Sequence, residues 1–534
     1  MIKKIFLLTL FIIFIAIGCQ KASSNAIKIR IGPEPQTIDP TLNTSIDGAT
    51  YIVHTFEGLT TKDKDNKVVA GVAESWDISE DGLTYTFHIR DDAKWSDGQK
   101  VKAEDFVYSW QRAVDPIVAS GYSYQLEPIL NAKEITEGKM DKSNLGVKAL
   151  DEKTLEVRLK APTAYFLELT AFPTLFPIRK DIVEANPDGW TRDASTYIGN
   201  GPFIMKERRI DDRLILEKNT NYWNASTIVP NELEFILMDN PTVSVASIKD
   251  GSLDYGGAPP VQEIEALRNE GFIQTNVSLG IYFYMINCTN EVLKDPRVRQ
   301  ALTLAIDRNY IVKNVTKGGQ IPAAAFVPYG VSDVEGDFRE KGGNYYEVSE
   351  DKHQENIEKA KALLAEAGYP NGEGFPVIEF KSNQGGGNLE IFEPIQQMWK
   401  EVLNIDVTFS AEEWAVFQQT RVDKNFEIAM HSWLADYNDP LTFLAMFLSY
   451  SDQNHSSYNN PEYDRLINIA MNSGDNAVRM KAFHDAEKIL INDMPIIPLY
   501  FHTTSALMRP NLKGVVFDKL GMNRFFYVYR EEAK

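Results

Sequence analysis

At 534 residues the chain is too long for one ordinary hydrophobic core, so two to four domains are expected. Hydrophobic content of 43% beside 24% charged residues is that of a globular protein, and no long low-complexity tract argues for disorder. With Lys3 and Lys4 set aside, 53 basic residues face 75 acidic ones, a formal charge near −22 that repels phosphate backbones and excludes nucleic acid as a partner.

The first residues read as an export signal. Lys3 and Lys4 precede a thirteen-residue apolar run, Ile5 to Ile17, which is short for a membrane span. Residues 1–18 are the expected signal peptide, and Cys19 after Ala16-Ile17-Gly18 looks like a bacterial lipobox whose thiol is lipidated. Each buried acyl methylene contributes ~0.8 kcal/mol, and stable anchoring takes two chains, which a diacylglyceryl group supplies. Residues 19–26 then make the lipidated cysteine and its tether, holding an exported fold on a bilayer that it does not cross. Cys288 is the only other cysteine, so no internal disulfide is available and a buried small residue is expected there.

From Ile27 the residues IKIRIG alternate as a strand does. PEPQTIDP and TLNTSIDG follow as a loop, and VHTFEGLT begins another element. LTYTFHIR and KTLEVRLK read as hairpin strands, with DDAKWSDG as a turn. Between them Ala103 to Val114 carries Phe106, Val107, Trp110 and Val114 at helical spacing and stops before Pro116. GNGPFIMKER with RLILEKN makes another hairpin, NELEFILMD a strand, and a helix opened by Pro241 ends at Gly251. This alternation to residue 280 is that of an α/β lobe.

From Ile281, IYFYMIN is a strand and DPRVRQALTLAIDRNYIVKNV a helix, capped by Asp295 with Pro296 in its first turn. Asn356 to Ala367 is a second helix, ended by Gly368 and Pro370. VIEFKSN, a helix around 391–402, the strand IDVTFS and the helix WAVFQQTRV complete a second α/β lobe. The tail, IIPLYFHTTSALMRP and then NRFFYVYR, is strand-like and returns to the first lobe.

No motif for catalysis stands out. The chain has no GxSxG elbow, no HExxH and no GxxxxGK phosphate loop, and its seven histidines are scattered. Asp63, Asp65 and Glu74 echo a calcium loop, but Val68 stands where the sharp turn demands Gly, so a hairpin loop is the better reading. Gly385-Gly386-Gly387 lacks a following Lys-Ser/Thr and reads as a flexible turn. A binding protein is expected, with no enzyme activity, metal or cofactor.

The chemistry concentrates between Ile428 and Tyr450, where Trp433, Asp436, Tyr437, Asn438 and Pro440 mix aromatic surface, a carboxylate and turn formers. A carboxylate beside indole and phenol rings is poorly hydrated and favours an arriving cation. Asp436 is therefore expected to receive the α-ammonium group of a peptide. The alternative is a plain turn formed by Asp436 and Asn438 before Pro440.

WLADYNDPLTFL, together with AESWDISEDGLTYTFHIRDDAKWSDGQKVKAEDFVYSWQR at 73–112, resembles the oligopeptide-binding proteins of ABC peptide importers, in extracellular solute-binding protein family 5. FEGL at 56–59, GNGPF at 199–203, DPRVRQALTLAIDR at 295–308 and AKALLAEAGYPNG at 360–372 carry the likeness over essentially all of the mature chain. The resemblance implies an α/β, periplasmic-binding-protein-like fold of two hinged lobes with an extra domain inserted in the N-terminal lobe. On that template lobe I is 27–56, 184–281 and 503–534, the insert is 57–183, and lobe II is 282–502.

The resemblance also implies a site. The ligand's ammonium falls to Asp436, flanked by Trp433, with Tyr437 and Asn438 beside it, a second cleft tryptophan at Trp414 and an arginine at Arg421. Thr44, Ser45, Ile46, Ser432 and Leu434 match stretches whose backbone holds an extended peptide like an added strand. Met430 and Asn388 stand where relatives place an arginine and a histidine near the ligand's carboxylate, Thr44 replaces an acid, and His502 replaces a cleft tyrosine. A different peptide length, a solvated C-terminus or a modified cell-wall peptide all remain open. Arg421 is the remaining basic candidate for the carboxylate, or else belongs to a structural ion pair.

The expected protein is a monomeric, lipid-anchored receptor that captures short peptides and hands them to an ABC permease. A same-fold receptor for a nickel chelate or another small solute, and a surface adhesin or chaperone, are the alternatives. Asp436 shut into an empty closed cleft would be an unpaired buried charge costing ~3–5 kcal/mol, so the vacant protein should stay open. A peptide ammonium removes that cost.

Overall fold

The computed structural model describes residues 26–532 apart from Gly386. The signal, Cys19 and most of the tether expected at the N-terminus lie outside the described residues, as does the middle of the glycine turn. β1 (Ile27–Ile31) buries alternate side chains, and α1 (Ile46–Thr55) follows, its first turn capped by the Ser45 hydroxyl, which accepts from the Gly48 N–H at 3.0 Å. The hairpin of β2 (Thr60–Lys62) and β3 (Val68–Ala70) turns where Asp63 Oδ1 accepts from the Asp65 and Lys67 N–H groups, both at 2.9 Å. Asp63 thus closes a turn on its own backbone.

β4 (Ala73–Ile78), β5 (Thr84–Ile89), β6 (Val147–Ala149) and β7 (Thr154–Arg158) form a separate antiparallel sheet in the order β4-β5-β7-β6. α2 (Ala103–Val114), threaded between β5 and β6, buries Phe106 and Trp110. Then come β8 (Phe203–Arg209), β9 (Arg213–Lys218), β10 (Glu232–Leu237), α3 (Pro241–Asp250), β11 (Tyr255–Gly257) and the long β12 (Ile273–Ile286). The second half continues with α4 (Pro296–Leu304), α5 (His353–Glu366), β13 (Ile378–Asn383), α6 (Asn388–Leu403), β14 (Val407–Glu412), α7 (Trp414–Val422) and β15 (Ile428–Leu434). α8 (Pro461–Asn472), α9 (Asn476–Asp493) and β16 (Ile496–Met508) lead back.

These strands join in one path, β14-β13-β15-β12-β16-β11-β1-β10-β9-β8. Two antiparallel strands, β12 and β16, cross between its halves. Residues 273–277 of β12 pair with 503–507 of β16 on one side, and Ile281 with Phe501 resumes the ladder on the other. Ser278 to Gly280 fall in the gap, opposite His502. Two buried cores flank this break: Leu279 to Phe501 supply one, while Ile27 to Tyr255 with Ala506 to Val528 supply the other. The small domain built on β4–β7 shares the second core with the first lobe, since Phe87, Trp95 and Trp110 belong to the same cluster as Ile29, Tyr51 and Phe235.

Two expectations change. The helix expected from Asp295 to Val315 breaks after Leu304 and resumes over Arg308–Tyr310 and, as a wider π turn, Ile311–Thr316, because the buried Arg308 guanidinium takes the Thr303 and Ile306 carbonyls at 3.0 and 3.2 Å, and the Asp307 N–H turns to Met398 Sδ at 3.3 Å. A continuous helix would need those groups for its own ladder. NRFFYVYR is strand only at Tyr529–Arg530. The Phe525 N–H is spent on His54 Nε2 at 3.0 Å, and both Phe525 and Phe526 are buried. Cys288 is partly buried against the second lobe's core, and burial pushes its thiol pKa up.

A Cβ on Gly280 would lie 2.5 Å from Leu434 Cδ2, 2.8 Å from His502 Cδ2 and 3.0 Å from the Trp433 carbonyl. Gly280→Val should cost about 1–3 kcal/mol by overpacking the crossing, read as a lower urea midpoint. An unchanged midpoint would mean that the crossing strands are not packed this closely.

Candidate functional site

The end of β15 and the loop after it stand at the gap between the lobes. β13 pairs with β15 only at Ile428 and Ala429, whereas β12 pairs along its whole length, from Ile428 to Leu434. Beyond Ala429 one edge of β15 is therefore unpaired, and Ser432 and Leu434 are exposed on it. Such an edge can take an added strand through main-chain hydrogen bonds alone.

Asp436 follows directly. Its N–H donates to Thr442 Oγ1 at 3.2 Å, and one carboxylate oxygen accepts from the Tyr124 hydroxyl at 3.4 Å, a long bond from the inserted domain. No Lys, Arg or His lies within 4.0 Å of it among the described residues, and burial pushes its pKa up. The carboxylate borders a cavity of about 150 Å³ with Ser45, Ile46, Tyr122, Gln125, Phe172, Leu434 and Met522. On its other side a cavity of about 330 Å³ is walled by Tyr124, Lys160, Tyr165 and Tyr437. Three parts of the chain thus meet at one carboxylate.

The residues after Asp436 also hold it in place. Tyr437 lies flat on Tyr165, with ring centroids 4.1 Å apart and planes 2° from parallel, and both rings wall the larger cavity. Asn438 is buried and accepts from the Ser332 N–H at 2.9 Å. Asp439 receives Arg479 on both oxygens at 3.0 and 2.9 Å and accepts from the Leu441 N–H. Asn438 borders neither cavity and supports the loop, whereas Tyr437 both supports it and faces the cavity.

Trp414 is 52% exposed at the start of α7, and Arg421 lies seven residues on, two turns along one helix face. Arg421 is buried, with no carboxylate within 4.0 Å among the described residues, so the structural ion pair is not formed. Burial lowers its pKa to about 10, and its Nε has no acceptor among the described residues. It faces His431 and His455, whose pKa values burial and the Arg421 charge push down. Trp433 is half-buried, 6.3 Å from the His431 ring, and its Nε1 is also without an acceptor among the described residues.

Met430 and Asn388 are buried in the second lobe, and the Asn388 amide accepts from the Tyr282 hydroxyl at 2.9 Å and donates to Asn383. Neither borders the cavities beside Asp436. His502 sits at the break in the crossing strands, its Nε2 2.8 Å from Ser432 Oγ, and burial lowers its pKa to about 4. Ile46 is the first residue of α1, and its carbonyl accepts from Thr50 Oγ1. Thr44 and the N-cap Ser45 lie outside the helix, Ser45 with an extended backbone (φ −107°, ψ 148°), although the Ser45 carbonyl already accepts from the Ala49 N–H. Tyr122 and Tyr124 escaped the sequence reading. Their one signal was the aromatic alternation in GYSYQL, which any buried turn could carry.

Burial raises the Asp436 pKa, so the folded chain holds that proton more tightly than the unfolded chain does. The vacant carboxylate consequently costs stability above its raised pKa, and the cost fades as pH falls through that pKa toward the unfolded value. Asp436→Asn should therefore melt at a higher temperature than the wild type at pH 7 without ligand, the difference closing below about pH 4. A lower melting temperature for the variant at pH 7 would show that the carboxylate is compensated.

Residues 67–455 match the profile of the bacterial extracellular solute-binding proteins, family 5 Middle. The chain is similar to the oligopeptide-binding protein OppA of Bacillus subtilis, 35% identical over 509 residues, 94% of this chain and 92% of that one. Among solved structures it superposes on the unliganded open form of the periplasmic murein tripeptide binding protein MppA with a TM-score of 0.86 at 32% identity, covering 95% of this chain and 98% of that one. Against the Haemophilus influenzae OppA complex with RPPGFSPFR the TM-score is 0.70 at 31% identity, over 95% and 99% of the chains. The chain thus superposes better on that open form than on the peptide complex. The chain belongs to the bacterial extracellular solute-binding proteins of family 5.

Proposed function

We propose that this protein captures short peptides between its lobes, with Asp436 and Tyr124 receiving the α-ammonium group, and delivers them to an ABC permease without chemical change. The observation that carries the reading is Asp436 itself, a half-buried carboxylate without a cation within 4.0 Å among the described residues, bordering two cavities at the gap. A charge-assisted hydrogen bond there is worth ~1.5–3 kcal/mol, and each main-chain bond to the free edge of β15 adds about 1. Micromolar affinity needs about 8 kcal/mol net, which several such bonds with stacking on Trp433 reach. Closing the lobes over a bound ammonium then marks the loaded state, with residues 278–280 and His502 as the flexing point. The N-terminal anchor at Cys19 and a monomeric state belong to the same proposal.

Asp436→Ala should weaken trialanine binding at least tenfold by calorimetry, and N-acetylation of the peptide should weaken wild-type binding to a similar degree. Equal affinity for free and acetylated peptide would remove Asp436 from this role. Affinity should fall as pH drops through the raised Asp436 pKa, because the protonated acid no longer pairs with the ammonium.

Arg421 favours a second, narrower reading: a peptide with an additional acidic group, as in cell-wall fragments. A buried guanidinium with no anion is a cost that such a group relieves. Arg421→Gln should then weaken Ala-Glu-Ala at least fivefold more than Ala-Gln-Ala. An equal effect on the two peptides would leave Arg421 a packing residue.

A further inference from the structure

A second polar cavity, of about 230 Å³, lies in the first lobe and meets the cavity beside Asp436 at Ile46. It opens at the carboxyl ends of the parallel strands β1 and β11, where open α/β sheets form crevices for ligands. Two charges line it. The Arg30 guanidinium is committed, donating to the Met238, Gly256 and Asp239 carbonyls at 2.6, 3.1 and 3.0 Å, with Asp239 as its strongest charge neighbour. Asp47 is half-buried, and burial pushes its pKa up against the pull of the Gly32 backbone and the Arg30 charge; it forms no ion pair within 4.0 Å among the described residues. Gly32 makes room for it, since a Cβ there would lie 2.6 Å from Asp47 Oδ2.

We propose that Asp47 and this cavity form a side-chain subsite that receives the ammonium or guanidinium of a lysine or arginine residue within the bound peptide. The inference rests on the peptide-capture reading, and adds a specificity that Asp436 does not provide. Arg30 donates to three carbonyls and makes no hydrogen bond to Asp47, although its charge still acts on that carboxylate. Asp47 also stands in the first turn of α1, where a carboxylate is stabilising without any ligand. That role affects folding and not peptide choice, and the two can be separated.

The test uses tetraalanine peptides carrying a single lysine at position 2, 3 or 4, each paired with its norleucine counterpart, titrated into the full-length protein. The wild type should favour lysine over norleucine at least fivefold at one position. Asp47→Asn should bring that ratio to about one while binding of the norleucine peptide stays within twofold, and Gly32→Ala, which displaces the carboxylate but keeps its charge, should lower the ratio too. A lysine preference unchanged in Asp47→Asn, with only the melting temperature lowered, would overturn the proposal in favour of the helix role. Absence of any lysine preference in the wild type would overturn it as well. If trialanine and every tetrapeptide fail to bind, the peptide-capture reading falls and takes the subsite with it, whereas norleucine binding without discrimination removes the subsite alone.

Discussion

A carboxylate kept from water and left without a cation is the constraint on which the site depends. Asp436 has one long hydrogen bond from Tyr124 and no basic neighbour within 4.0 Å among the described residues. A charge in that condition is tolerable only while the gap around it stays partly open to solvent. The chain superposes on an unliganded open relative with a TM-score of 0.86. On the proposed reading, closing without a guest would strand the charge, so the electrostatic cost of Asp436 would couple occupancy to shape. The loop that carries it is correspondingly stiff: Tyr437 is stacked on the inserted domain, Asn438 is bonded to Ser332, and Asp439 is gripped by Arg479. A rigid loop keeps the charge from relaxing onto a neighbour.

The crossing strands give the other half of the coupling. β12 and β16 are long and paired on either side of a short stretch where the ladder breaks, β12 being buried only on the second-lobe side, so a bend between the lobes would fall at 278–280 and 502. His502 bonds Ser432 at that point, linking the bend to the strand edge on which a peptide would lie. The inserted domain contributes Tyr122 and Tyr124 to the cavity and shares its core with the first lobe, so it travels with that lobe.

Much of this was legible in the sequence, for identifiable reasons. Alternating or continuous apolar runs such as IKIRI and IYFYMI became strands, and Asp295-Pro296 and Pro241 opened helices. Local capping and periodicity decide such elements, and a sequence displays both. The break after Leu304 was hidden because its cause, Arg308 reaching carbonyls including that of Pro498, lies 190 residues away. FEGL and GNGPF also meant more for folding than for binding: the Asn200 side chain clasps the Glu57 backbone at 3.0 Å on both sides, and Gly199 presses on the Thr55 carbonyl where a Cβ would lie 1.9 Å away. Within the candidate site, the aromatic and turn-forming neighbours of Asp436 draw attention to it in the sequence, whereas nothing local marks Tyr124 or Asp47, since 312 residues separate Tyr124 from its partner and Asp47 resembles any first-turn acid.

Pairing separates the charges that hold the fold from those that await a ligand. Arg339 and Glu487, both fully buried, meet at 2.7 Å, and the Glu487 carboxylate also accepts from the Phe326 and Val327 N–H groups. Asp39 receives Arg112 on both oxygens, and Glu57, whose pKa burial raises to about 7, takes hydrogen bonds from Tyr222 and Trp223. Removing a partner from any of these would leave a stranded group and a damaged fold. Asp436, Arg421 and Asp47 form no ion pair within 4.0 Å among the described residues, although the Arg421 guanidinium donates to Gln418 Oε1 and the Arg30 charge acts on Asp47. Lack of a partner does not by itself mark a site, since Arg308 and Arg524 are buried with guanidinium nitrogens that find no acceptor among the described residues. An unpaired charge is informative in this fold where it also borders a cavity, a condition that Asp436 and Asp47 meet.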